Sequence, residues 1–144
     1  MSSDGGGPVL AAVNGGHMDG NVADVAALLA RRRRWPLLLL HVIEVGHDLP
    51  LETSDERAVL EAEVVLSSVE DRVKSGGVTV TTEVSQARAA STAVIASALR
   101  HDARSIVIGS HRFLGQHDCD LGFTATHVLR HSTIPVIVCY DPIR

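Results

Sequence analysis

Five short runs of strand-forming residues, with helical periodicity in the stretches between them, constrain this chain more than any other feature. Val9-Leu10-Ala11-Ala12-Val13 stops at Asn14-Gly15-Gly16, and Leu37 to Val42 lies between Pro36 and Gly46. Ile106-Val107-Ile108-Gly109 and Ile134-Pro135-Val136-Ile137-Val138-Cys139 have the same form. Such runs are too short for a comfortable helix and read as strands buried on both faces. Val78 to Val84 alternates with period two instead, as a half-exposed strand does, and is expected at a sheet edge. Between the runs, Val22, Val25, Ala26 and Leu29 fall at helical spacing, with Asn21 or Asp19 able to cap and Arg31 to Arg34 closing the end. Thr53-Ser54-Asp55-Glu56 has capping-box spacing ahead of a stripe of Ala58, Ala62, Val65, Val69 and Val73 that runs to Gly76-Gly77. Ser91 is expected to cap a helix carrying Val94, Ile95, Ala98 and Leu99, and Phe123 to His131 supplies a fourth helix.

Strands alternating with helices require crossover connections, and those crossovers are nearly always right-handed. The expectation is therefore a three-layer α/β/α domain around a five-stranded parallel sheet, spanning residues 8–144 behind a Ser-, Asp- and Gly-rich leader at residues 1–7 read as flexible. At 144 residues the chain buries enough surface to hold one core without disulfide or metal. Ligands of open α/β sheets sit beyond the carboxyl ends of the strands, where strand order reverses. That singles out the loops Asn14 to Asp19, Ile43 to Pro50 and Gly109 to Gly122.

Composition removes several functions. Twelve arginines accompany a single lysine, Lys74, and no G-x-x-x-x-G-K-[ST] loop exists, which excludes Walker-type phosphate chemistry. A net charge of −4 with 3% aromatic residues argues against a nucleic-acid surface. Arg31 to Arg34 reads as a solvated helix end, where cations meet the negative end of the dipole. Trp35 to Val45, the longest apolar run, is interrupted by Pro36, His41 and Glu44 and falls far short of the roughly 20 residues of a membrane span. With two cysteines, Cys119 and Cys139, showing no pairing motif, the expectation is a cytoplasmic protein with reduced thiols.

His111, His117, Asp118, Cys119, Asp120, His127 and His131 crowd the last third of the chain, but without fixed ligand spacing, so no metal is assigned. The chain has no G-x-S-x-G elbow and no H-E-x-x-H, so no catalytic residue is assigned either. Glu44, His47 and Asp48 follow the second strand and read as loop solvation, with the rim of a pocket as the other possibility.

Ile106-Val107-Ile108-Gly109-Ser110, Gly115, Leu121-Gly122, Val128-Leu129-Arg130-His131 and Pro135-Val136-Ile137-Val138 together resemble the universal stress protein family. Val9 to Gly15 is similar to its first strand and turn, and Leu40-His41-Val42 to its second strand; the likeness covers Pro8 to Asp141. The resemblance implies an adenine-nucleotide alpha-hydrolase-like, Rossmann-like architecture and a nucleotide site at Asn14, Val42, Gly109, Ser110, Arg112, Gly115, Gly122, Phe123 and Thr124. Nucleotide-binding members carry G-x-x-G, nine residues, then G followed by Ser or Thr. Here Arg112 replaces the second glycine and Phe123 the hydroxyl residue, while Asn14 stands where the family places an acid.

Two readings follow. In one, the Arg112 guanidinium substitutes for the lost backbone contacts and ATP with Mg²⁺ still binds, Thr124 serving only if the helix start shifts. In the other, Arg112 and Phe123 fill the site, and the domain is a non-enzymatic stress-response module that needs no cofactor. The second is the expectation carried forward. The resemblance further implies a homodimer paired through the last strand at Val136, Ile137 and Val138; a protein partner is a further expectation, while the composition read above leaves none for nucleic acid or membrane.

Overall fold

The computed structural model describes residues 6–53, 55–110, 112–113 and 120–140, with residues 112, 113 and 120 described by backbone course alone. The elements are β1 (Val9–Ala12), α1 (Asp19–Arg33), β2 (Leu37–Glu44), α2 (Glu56–Val73), β3 (Val80–Ala87), α3 (Ala90–Arg100), β4 (Ser105–Ser110), β5 (Arg112–Phe113), β6 (Asp120–Leu121), α4 (Phe123–His131) and β7 (Val136–Tyr140). Five strands form one parallel sheet in the order β3-β2-β1-β4-β7, and β5 and β6 make a separate two-residue antiparallel ladder.

Alternate residues of the apolar strands feed two cores. Val9, Ala11, Leu37, Leu39 and Val107 pack with Val22, Ala26, Leu66 and Val69 of α1 and α2. Leu10, Leu38, Leu40, Ile106 and Ile108 face the other way, onto Val94 and Ala98 of α3 and Val128 of α4. The central strands are thus covered on both faces, as their unbroken hydrophobicity requires. β3, whose sequence alternates, is an edge strand. The chain first moves outward from β1 to β3, then returns to place β4 on the other side of β1. Strand order therefore reverses between β1 and β4, beneath the Asn14 and Gly109 loops.

Three expected caps are not made where the sequence placed them. α1 has Met18 at its N-cap with no side-chain capping bond. Asp19 instead turns its carboxylate back toward the strand, accepting the Asn14 N–H at 3.0 Å and the Gly15 N–H at 2.8 Å. In α3 the N-cap is Ala89; Ser91 lies inside the first turn, 1% exposed, its hydroxyl without a partner among the described residues. The Ala90 N–H is satisfied by Glu44 Oε2 at 2.8 Å, from the end of β2. In α3 a carboxylate from a distant strand thus meets an orphan donor of the helix, whereas the Asp19 carboxylate of α1 serves the turn ahead of its helix. α2 is capped too, but two residues later than the capping-box spacing of Thr53 and Glu56 places it: Asp55 is the N-cap, its carboxylate accepting from the N–H groups of Arg57 and Ala58, and Glu56 is the first helical residue.

Candidate functional site

A cleft of about 870 Å³ opens above the carboxyl ends of β1 and β2. Its floor is Asn14, Gly15 and residues 41–44; α2 forms one wall through Arg57, Leu60, Glu61 and Val64, and Ala90 and Thr124 close the other side. The size falls within the range of small-molecule sites.

The floor is rigid because its polar groups are spent on one another. Asn14 Oδ1 accepts the Gly16 N–H at 2.8 Å, a local turn that, with the two Asp19 contacts, fixes the backbone from Asn14 to Gly16. Gly15 has φ +87°, which only glycine adopts without strain, and a Cβ there would approach Val65 Cγ2 to 3.2 Å. His41 donates its Nδ1–H to the Val13 carbonyl at 3.1 Å, tying β2 to the end of β1. In the neutral ring this leaves Nε2 as an acceptor. Glu44 spends one carboxylate oxygen on α3 and stands in the lining. It belongs to the pocket rim and is more than loop solvation.

Of the residues picked from the sequence, Asn14, Val42 and Thr124 line this cleft together. Thr124 does so with α4 beginning at Phe123, so no shift of the helix start is needed. Gly109 and Ser110 join Asn14 around a neighbouring recess of about 40 Å³. Ser110 Oγ accepts the Gly122 N–H at 2.8 Å, clamping the two ends of the long connection to each other. Gly109 is required for packing: a Cβ would sit 2.9 Å from Met18 Cβ and 3.2 Å from Val22 Cγ2 of α1.

Phe123 departs from expectation. Its side chain is 74% exposed, so it does not fill the site. Neighbouring residues of a helix point about 100° apart, and the turn that carries Thr124 into the cleft carries Phe123 away from it. Arg112 is described by its ladder pairing with Leu121 alone. Gly115, His111, His117, Asp118 and Cys119 lie outside the described residues. The rings of His127 and His131 stack with centroids 4.1 Å apart, and His131 Nδ1 bonds the His127 carbonyl at 2.9 Å, the local role of a helix-end histidine. Partial burial pushes the Cys139 thiol above its ordinary value, which disfavours thiolate chemistry.

The α2 wall was missed from sequence. Leu60 and Val64, 61% and 68% exposed, sit four apart just off the core stripe. Two apolar residues at that spacing on a helix face not needed by the core are the signal that was available.

The profile of the Universal stress protein family matches residues 7–139. Among solved structures, a universal stress protein from Archaeoglobus fulgidus is 23% identical, with 91% of this chain and 96% of that one covered and a TM-score of 0.75. The universal stress protein from Archaeoglobus fulgidus in complex with dAMP is 22% identical, covering 91% and 95%, at a TM-score of 0.72. A universal stress protein in complex with cAMP is 17% identical, covering 93% and 96%, at 0.71. No curated protein matches the chain. Among the described residues, no helix is long and apolar enough to cross a membrane.

Proposed function

The chain belongs to the universal stress protein family, and from that premise we propose that it is a non-enzymatic regulatory module that holds an adenine nucleoside or nucleoside monophosphate, its grip on further phosphates degraded. The carrying observation is the open cleft shared by Asn14, Val42 and Thr124, from which Phe123 is turned away. The relatives solved with dAMP and cAMP support a monophosphate. Asn14, through its amide, offers hydrogen bonds to ribose hydroxyls, and Val42 offers an apolar wall to the base. Glu44 presents a carboxylate acceptor to an exocyclic amine.

The phosphate half is poorer. Arginine at position 112 supplies neither the close approach nor the conformational freedom of glycine, and Gly109 is committed to packing against α1. Thr124 is the hydroxyl that remains for a first phosphate. Each charge-assisted contact absent at the outer phosphates forfeits about 1.5–3 kcal/mol, so ATP gains little over AMP.

The test is mass spectrometry of small molecules released from the purified protein, followed by calorimetric titration of the stripped protein with adenosine, AMP and MgATP. AMP and MgATP are expected to bind within about threefold of each other. MgATP binding about a hundredfold tighter would restore a full phosphate loop with Arg112 as its ligand. No binding of any of the three would leave a ligand-free interaction module.

The same reading includes a homodimer. β7 is an edge of the sheet, and Ile137 and Tyr140 stand 37% and 46% exposed on it. An apolar edge of this kind is satisfied by pairing with a second copy.

A further inference from the structure

At the pole opposite the cleft the helices end in basic residues: Arg31, Arg32 and Arg33 in α1, Arg72 in α2, Arg100 in α3, Arg130 and His131 in α4. Several cations of this pole are spent within the chain. Arg72 grips Asp24 with two hydrogen bonds of 2.9 and 2.8 Å, Lys74 pairs with Asp71, and Arg100 with Glu83. Arg33 and Arg104 lie over the Trp35 ring, 5.2 and 4.9 Å from its centroid. The side chains of Arg31, Arg32 and Arg34 have no ion pair or hydrogen bond among the described residues. A helix C-terminus carries about half a negative charge, which a single guanidinium already balances. The rest are in surplus, on a protein whose net charge is −4.

That surplus borders a concavity. A groove of about 600 Å³ is lined by Arg31, Arg34, Trp35 and residues 77–79. We propose that this groove binds a small anion bearing two or more phosphate groups.

Three further observations fit that ligand. Arg34 closes α1 with φ +61°, the left-handed position where glycine is the unstrained residue. Arginine there brings strain that glycine would relieve, and its side chain is spent on the groove. The Arg31 guanidinium lies against a bare turn, since a Cβ on Gly76 would stand 3.1 Å from Nη1. Gly77, at φ +77°, has nothing within 4 Å of its missing Cβ, so an oxyanion can approach the backbone closely. A guanidinium matches one phosphate bidentately; two on one groove select a ligand with at least two. The concave shape suits a small molecule better than a membrane surface or a duplex, which the acidic remainder of the chain would repel.

The experiment is calorimetric titration of the full chain with sodium tripolyphosphate at low ionic strength, repeated with Arg31→Gln and Arg34→Gly. Saturable one-to-one binding is expected, weakened about tenfold or more by either substitution. Arg34→Gly is also expected to hold or raise the melting temperature, because it relieves the left-handed strain. That separates lost binding from lost structure. Adenosine affinity at the cleft should not change in either variant, so this proposal and the one for the cleft fail separately. Absence of saturable binding would overturn it, as would binding that survives Arg34→Gly or that is lost instead in Thr124→Val. Tighter, Arg34-dependent binding to phosphatidylserine vesicles or to single-stranded DNA than to tripolyphosphate would also overturn it, assigning the pole to a macromolecular surface.

Discussion

The two edges of the sheet answer the same physical problem in opposite ways. β3 leaves Thr81, Thr82 and Ser85 among its exposed and partly exposed residues, and its one inward acid is knotted into α3. Glu83 Oε1 accepts from the Ser97 hydroxyl at 2.8 Å and meets His101 Nε2 at 3.0 Å, while Oε2 accepts from the Arg100 guanidinium. Burial alone would raise the Glu83 carboxyl; the Ser97 hydrogen bond, the Arg100 charge and the His101 ring outweigh it and hold it below the ordinary glutamate value. β7 differs in composition. Its five residues are Val-Ile-Val-Cys-Tyr, with no charge among them. An edge blunted by polar chemistry is finished as it stands, whereas an edge left apolar is a surface designed to be covered.

Val84 on β3 and Ile137 on β7 are almost equally exposed, 39% and 37%, which makes them a matched pair for experiment. The largest effect is expected from Ile137→Lys: sedimentation velocity should show the proposed dimer dissociating, with its association weakened at least about a hundredfold, since an interface-centre charge costs about 2–4 kcal/mol. Dimerisation unchanged in that variant would move the interface elsewhere. Glu83→Ala comes next. Leaving Ser97, Arg100 and His101 without their acceptor should cost about 1–3 kcal/mol, read as a fall in melting temperature of about 2–4 °C per kcal/mol, with dimerisation unaffected.

The pH dependence of the same knot is smaller and has a definite sign. A carboxyl whose folded pKa is depressed contributes stability that is full above its unfolded pKa and is lost as pH falls through the folded one. Urea unfolding between pH 6 and pH 3 should therefore show a loss of stability in the wild type that is reduced in Glu83→Gln; equal losses in both would remove Glu83 as a source. The smallest effect belongs to Val84→Lys, which should leave sedimentation unchanged and stability within about 0.5 kcal/mol. Dissociation in that variant would reverse the assignment of the edges.

Much of this was legible in the chain itself, and the exceptions share a cause. Unbroken apolar runs too short for a helix and bounded by Pro, Gly or Asn read as buried strands, so the β1, β2 and β4 segments and their two-sided burial followed from length and flanking residues. The Phe123–His131 helix appears with the bounds its spacing gives. What local pattern could not deliver was any contact made across the sequence. Ser91 has the residue type of a cap, yet the α3 donor at Ala90 is met by Glu44, 46 residues away. Phe123 was expected to plug the cleft because position in a motif says nothing about which way a side chain turns from a helix start. The α2 wall went unseen because Leu60 and Val64 serve no core and so leave no imprint on the core stripe.

Asp19 carries one further consequence. In many α/β proteins the turn after the first strand receives the pyrophosphate of a dinucleotide on its free N–H groups. Here the chain lodges an anion of its own in that seat, with both carboxylate oxygens bound to Asn14 and Gly15. A second anion brought to the same turn would meet an occupied receptor and a like charge. A dinucleotide pyrophosphate at this turn would therefore have to displace the Asp19 carboxylate from both N–H groups, a competition built into the chain itself.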